Sequence, residues 1–328
     1  MTATTNDLFG DASGAEPATP GSYGTAPGGF RLPAGTRLGR VRLQVADLER
    51  SLGFYEHTLG LRVLRRDAAG AMLGSHGSDT PLVELRRLAG ARPMTPRGRL
   101  GLYHFAILLP GRASLGRFVR HLGAIGARAG SSDHLVSEAL YLNDPDGLGI
   151  EVYADRPRNA WRRIGRELMM ATDPVDLAGL VEAAGDTPWE GMPAGTVIGH
   201  VHLHVGDTGL ASAFFSEALG FDRMIWSYPG ALFLGADGYH HHLGANTWAR
   251  SGAEPPADGD ARLLEWTIEL PDPASVASVA ESLARAGMPV ETDSTVPARA
   301  EIVTRDPWGT RIRLRVAPPG SMVIPRAT

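Results

Sequence analysis

The chain has 328 residues, 43% of them hydrophobic and 21% charged, so it is too apolar to stay unfolded and too long for one small core. Its 32 basic and 36 acidic residues leave a net charge of -4 with no basic block, which argues against a nucleic-acid partner. Cysteine is absent, so disulfides, iron–sulfur clusters, thiolate metal sites and a cysteine nucleophile are all excluded, and any metal must be held by nitrogen and oxygen.

Residues 1–35 are rich in Gly, Ala, Thr and Pro, carry no hydrophobic period and are expected to form a disordered tail, with only Leu8 and Phe9 as an apolar patch. No basic stretch leads into an apolar one there, and no later run reaches the ~20 apolar residues that cross a bilayer. The expectation is a soluble, cytoplasmic protein with no membrane partner.

Beyond the tail the chain repeats itself. Gly39-Arg-Val-Arg-Leu-Gln-Val-Ala-Asp47 recurs as Gly199-His-Val-His-Leu-His-Val-Gly-Asp207, and Leu59-Gly60-Leu61 recurs in the same register as Leu219-Gly220-Phe221. A second pair lies between and after these: Leu102–Pro110 echoes Leu263–Pro271, and Asp144-Pro-Asp-Gly147 echoes Asp306-Pro-Trp-Gly309. The chain thus holds units at about 38–90, 101–155, 198–248 and 262–317.

Each unit opens with a strand-like alternation, as in Val41, Leu43 and Val45. A helix follows, capped by Asp47 or Asp207 and stopped at Gly60 or Gly220. Three short apolar segments separated by turn residues complete a βαβββ unit. A first domain at 36–155 and a second at 197–318 are expected, joined by a connector at 156–196. In that connector Trp161–Met170 reads as helical and Asp176–Ala184 as a short amphipathic helix; residues 319–328 read as a second tail.

The repeated units, with Gly199-His-Val-His-Leu203, Tyr103-His-Phe-Ala106 and Gly149-Ile-Glu-Val-Tyr153, resemble the vicinal oxygen chelate superfamily of glyoxalases, bleomycin-binding proteins and extradiol dioxygenases. Ser137–Gly147, Ala154-Asp-Arg-Pro157 and Gly238-Tyr-His-His-His-Leu-Gly-Ala-Asn-Thr-Trp248 are similar to its bacterial catechol 2,3-dioxygenase-like branch. The resemblance implies an α+β fold of four βαβββ modules forming two open metal-site barrels. It also implies ligands at the start of the first strand and the middle of the last strand of each unit.

In units one and four those places fall on Arg40, on Leu82 to Glu84, on Glu265 and on Arg313. A guanidinium stays protonated and offers a metal no lone pair, so these units cannot build the site by themselves. In units two and three the same places are His104, Glu151, His200 and, aligned through Asp237-Gly238, His242.

Two imidazoles and one carboxylate with open neighbouring positions suit Fe(II), with Mn(II) the alternative and Zn(II) fitting only non-oxidative chemistry. The implied triad is His104, Glu151 and His200, with a small aromatic diol and O2 as substrates and a homo-oligomer as the expected assembly. His242 is expected near the metal as acid or base. Tyr141 lies ten residues before Glu151, where the resemblance to ring-cleaving dioxygenases implies a tyrosine that donates to a substrate oxygen, and His134 is expected as a further group reaching the substrate. His202, His204, His240, Asn246 and Trp248 are candidates to line the pocket, while His241 should point outward and Arg156-Pro157-Arg158 should cap the barrel end.

Two other readings stand beside the dioxygenase: a glyoxalase-like lyase or isomerase with His242 as fourth ligand, and a metal-free binding protein of the bleomycin type. Pairing units in chain order would separate His104 and Glu151 from His200. Only a pairing of unit two with unit three, and of one with four, brings the triad together, leaving Arg40, Glu265 and Arg313 to pair in the other barrel.

Overall fold

In the computed structural model, which describes residues 3–291 and 301–318, the N-terminal segment is not the loose tail that its composition suggests. Thr4 caps a short helix, α1 (Thr5–Phe9), and Thr5 binds Asp173 through both its amide and its hydroxyl. After strand β1 (Glu16–Pro17), Tyr23 donates to the Gly238 carbonyl at 2.8 Å and Arg31 pairs with Asp222 at 2.6 Å. The segment has no core of its own, but its partners are already fixed in the body of the protein, so only its own entropy opposes docking.

In unit one, alternation places Val41, Leu43 and Val45 in the core along β2 (Arg37–Val45). Asp47 then caps α2 (Leu48–Gly53), which continues as a π-helical turn over Phe54–Thr58. Gly60 ends it with a φ of +80°, a conformation that glycine adopts without strain. Strands β3 (Arg62–Asp67), β4 (Gly70–Gly74) and β5 (Val83–Arg87) follow. Unit two repeats the order with β6 (Gly101–Leu108), α3 (Arg112–Ala124), β7 (Gly130–Asp133), β8 (Ser137–Asn143) and β9 (Gly149–Asp155).

The connector corrects one expectation. Trp161–Met170 is not a helix: β10 (Arg162–Ile164) and β11 (Glu167–Leu168) form a hairpin turning at Gly165, and β10 also pairs with β1. An available strand partner in the N-terminal segment overrides the weak helical pattern. The amphipathic helix is present as α4 (Leu177–Ala183).

Unit three comprises β12 (Val197–His204), α5 (Thr208–Ala211) with its own π continuation over Ser212–Ala218, β13 (Asp222–Ile225), β14 (Ala231–Gly235) and β15 (Leu243–Asn246). Unit four supplies β16 (Arg262–Leu270), α6 (Pro273–Arg285), β17 (Glu301–Arg305) and β18 (Arg311–Val316).

Two large sheets result, and neither follows a sequence half. One is eight-stranded in the order β13-β14-β15-β12-β6-β9-β8-β7; the other is seven-stranded in the order β17-β18-β16-β2-β5-β4-β3. Unit two therefore shares a sheet with unit three, and unit one with unit four. One continuous hydrophobic core joins all four units, with Leu43, Phe105, Phe215 and Trp266 in the same cluster. Among the described residues, no helix is long and apolar enough to cross a membrane.

Candidate metal centre

Strands β6 and β12 run antiparallel at the middle of the eight-stranded sheet with His202 opposite His104, and β9 lies parallel to β6 with Glu151 opposite Ala106. This register converges three buried side chains. His104 Nε2 lies 3.0 Å and His200 Nε2 3.2 Å from Glu151 Oε2, and the two imidazole nitrogens are 3.4 Å apart.

Donors at right angles around a metal about 2.1 Å away are about 3 Å from one another, so the triangle has the size of one face of a coordination sphere. Three donors within one another's reach can share one divalent cation in place of the protons that otherwise bridge them. Glu151 Oε1 and His200 Nδ1 are also buried with no hydrogen-bond partner among the described residues. The residues fit a divalent transition metal held by two nitrogens and one oxygen. Burial pushes the Glu151 carboxyl up, but His200 and His104 beside it outweigh burial and hold it well below the usual carboxylate range. Burial lowers His104, against the pull of Glu151, so its ring is kept neutral and free to donate a lone pair.

The fourth position is not His242. Glu151 lies across from the residue two places after His104; the equivalent partner of His202, two places after His200, is Gly244. The alignment through Asp237-Gly238 slips because the chain turns there, with φ of +53° and +67°, and spends Tyr239–His242 before β15 begins. His242 instead sits between Tyr239 and Phe221, and its Nδ1 accepts from the Ala236 amide at 3.2 Å. Burial, helped by His240 and Arg158, lowers it to about 3, so it stays neutral and faces away from the triad's cavity.

His241, expected to point outward, lines the cavity with its ring centroid 4.2 Å from that of His200. His240, expected to line it, lies behind. Its Nε2 is 2.9 Å from Asp155 Oδ1 and its Nδ1 is 2.7 Å from His241 Nδ1. A carboxylate only accepts, so we assign the proton of His240 to Nε2; His241 then donates from Nδ1 and presents an unprotonated Nε2.

His134 and Tyr141 both line the cavity and are joined to each other. The Tyr141 hydroxyl is 2.5 Å from His134 Nε2, and His134 Nδ1 is 2.6 Å from the Ala171 carbonyl; Ala171 can only accept, so Tyr141 donates to His134 and, against the expectation of a donor to the substrate, offers the cavity an acceptor. Burial, with the negative charge of Glu151, keeps the Tyr141 phenol protonated far above its ordinary range. His202 also lines the cavity and is tied through Asn246 to His204, with contacts of 2.9 and 2.7 Å. Asn246 and His204 thus fix the lining ring without belonging to the wall themselves, whereas Trp248 is part of it. Arg156 pairs with Asp133 and Glu138, and Arg158 lies over Trp161 and Tyr239, which makes that segment structural as expected.

The cavity has a volume of about 450 Å³. Much of its wall comes from residues that no motif marks: Tyr103 beside His104, Met170 to Thr172 of the connector, Tyr228 and Phe233. Arg97 stands at its exposed side.

The glyoxalase/bleomycin resistance protein/dioxygenase superfamily matches residues 37–152 of the chain. A catechol-2,3-dioxygenase of Bacillus subtilis (strain 168) is 44% identical over 260 residues, which span 78% of this chain and 90% of that protein. Among solved structures, a Bacillus subtilis protein is similar with a TM-score of 0.60 at 14% identity, over 89% of this chain and 87% of its own. Glyoxalase I from Zea mays gives 0.52 at 19% identity, over 86% and 92%. At those identities the two structural likenesses speak for the fold.

Proposed function

This chain belongs to the glyoxalase/bleomycin resistance protein/dioxygenase superfamily, and on that premise we propose that it is an extradiol dioxygenase using Fe(II), with Mn(II) the other metal its donors suit. The observation that carries the reading is a set of three donors with glycine at the fourth position. A four-ligand site of the glyoxalase type would need a side chain where Gly244 has none, and a metal-free binding protein would not need buried donors aimed at one another.

In the proposed reaction the ring bond beside the two hydroxyls breaks and both atoms of O2 enter the ring-opened product. Bound at His104, His200 and Glu151, the metal would hold the diol and O2 together and carry electron density between them.

The remaining chemistry belongs to the side chains. Tyr141, kept as a phenol whose hydrogen is given to His134, accepts a hydrogen bond from a diol hydroxyl; as that hydroxyl's proton passes to the Tyr141 oxygen, the proton already on Tyr141 passes to His134 Nε2. His241 presents its unprotonated Nε2 to the same cavity and is held in that tautomer by His240 and Asp155. Tyr103, Tyr228, Phe233 and Trp248 wall the ring and limit water.

The test is anaerobic reconstitution with Fe(II), followed by catechol in air. A yellow ring-fission product is expected, with none from His200→Ala. Metal-loaded protein that consumes no O2 with any aromatic diol would overturn the proposal.

A further inference from the structure

The cavity is larger than a single-ring diol requires. Catechol has eight heavy atoms and, even at the ~30 Å³ that each water occupies in the liquid, fills no more than about 240 Å³. Roughly half of the 450 Å³ is left for something attached to the ring.

The charges around the cavity say what that is. Glu151 is at the buried end and is committed to the metal centre; Arg97 is the cation of the lining, and its side chain lies at the exposed end. Neighbouring arginines on the same segment are answered, since Arg92 and Arg99 lie 2.6 and 3.4 Å from Asp260. Arg97 has no ion pair or side-chain hydrogen bond among the described residues.

Its backbone is also held in an unusual state. Arg97 has a φ of +56°, which a side chain with a Cβ rarely adopts, and its carbonyl accepts from the Arg250 amide at 3.0 Å while Gly98 closes a turn on Thr95. Strain maintained at a residue that lines a cavity is a pointer to use there.

We propose that Arg97 is a specificity-determining residue that binds an anionic substituent, a carboxylate, on the aromatic diol. The two hydroxyls enter first toward His104, His200 and Glu151, and the carboxylate remains at the exposed end, where the guanidinium offers a planar pair of donors. The inference rests on the dioxygenase reading for the identity of the diol, but its charge preference is measurable without turnover.

Calorimetry on the metal-loaded protein would compare dihydroxyphenylpropionate with its neutral methyl ester. The acid is expected to bind about two- to fivefold more tightly, and Arg97→Gln to erase that preference while leaving ester affinity unchanged. Arg97→Lys should restore part of it. In turnover the difference should fall on KM and leave kcat alone. Equal affinity for acid and ester, or a preference that survives in Arg97→Gln, overturns the assignment even if both diols are cleaved. Arg97-dependent binding of the acid with no ring cleavage upholds it and instead removes the dioxygenase reading.

Discussion

The two sheets are built on one plan and filled with opposite chemistry. Where the eight-stranded sheet has His104, His200 and Glu151, the corresponding register positions of the seven-stranded sheet hold Glu265, Arg40 and Arg313, and Gly244 is matched by Glu84. There each carboxylate is answered internally. Glu84 lies 2.9 and 3.0 Å from Arg40 and Arg42, Glu265 lies 2.7 and 2.9 Å from Arg313 and Arg311, and Glu269 lies 3.0 and 2.7 Å from Arg37 and Arg315. In one sheet permanent cations answer the carboxylates; in the other Glu151 meets only two imidazoles.

Substitutions that exchange these states should separate the sheets. The largest effect is expected from His200→Ala, which removes one of three donors: metal content by elemental analysis should fall to background and turnover by at least ~100-fold. Glu265→Gln, at the place corresponding to His104, should leave metal content untouched. It should lower stability by about 2 kcal/mol in urea unfolding, because Arg311 and Arg313 lose a buried partner while Arg311 keeps access to water at 33% exposure. Metal loss from Glu265→Gln would show that the two sheets are not independent.

Gly244→Ala tests the open fourth position. A Cβ there would lie 2.7 Å from the His202 ring, so that ring must move, and we expect kcat/KM to fall roughly tenfold with metal retained. Asp155→Asn, which weakens the tether on His240 and so on His241, should lower kcat several-fold at unchanged KM and metal content.

The smallest effect concerns the matching turns of units two and four. Burial raises Asp144 to about 7 and Asp306 to about 6, from an ordinary 3.8. A carboxyl raised on folding contributes stability that is full below its unfolded value and is lost as pH rises through the folded value. Asp144 should therefore cost stability between pH 3.8 and about 7, and Asp306 between 3.8 and about 6. Asp144→Asn keeps an acceptor for the amides of Asp146 and Leu148, so relative to the parent its Tm should rise by a few degrees as pH goes from 4 to 7. A pH-independent difference in Tm would remove this assignment.

The repeated strands, their capping aspartates and the glycines at 60 and 220 were legible because each has a local cause: alternation, an N-cap, a positive φ. His104, Glu151 and His200 were legible through the family resemblance, which supplies the ligand places, and those places transfer from unit to unit because strand register between copies is nearly constant. The slip from Gly244 to His242, and with it the exchange of His241 for His240, comes from a turn whose length varies between units, and no periodicity records that. The ordered N-terminal segment, the hairpin at β10 and β11 and the wall from Met170 to Thr172 depend on partners far away in the chain, so their own residues carry no signal.

The order of the strands has an entropic side. The sheet that carries the triad is made from two neighbouring units, 101–155 and 197–246, whereas its counterpart joins 37–87 to 262–316 around them. Closing β6 on β12 spans a far shorter loop than closing β2 on β16, where Arg37 meets Glu269 across 232 residues. Loop closure favours the shorter span by about 1 kcal/mol, so the strand pair that brings His104 to His200 costs the chain less entropy than the pair that brings Arg37 to Glu269.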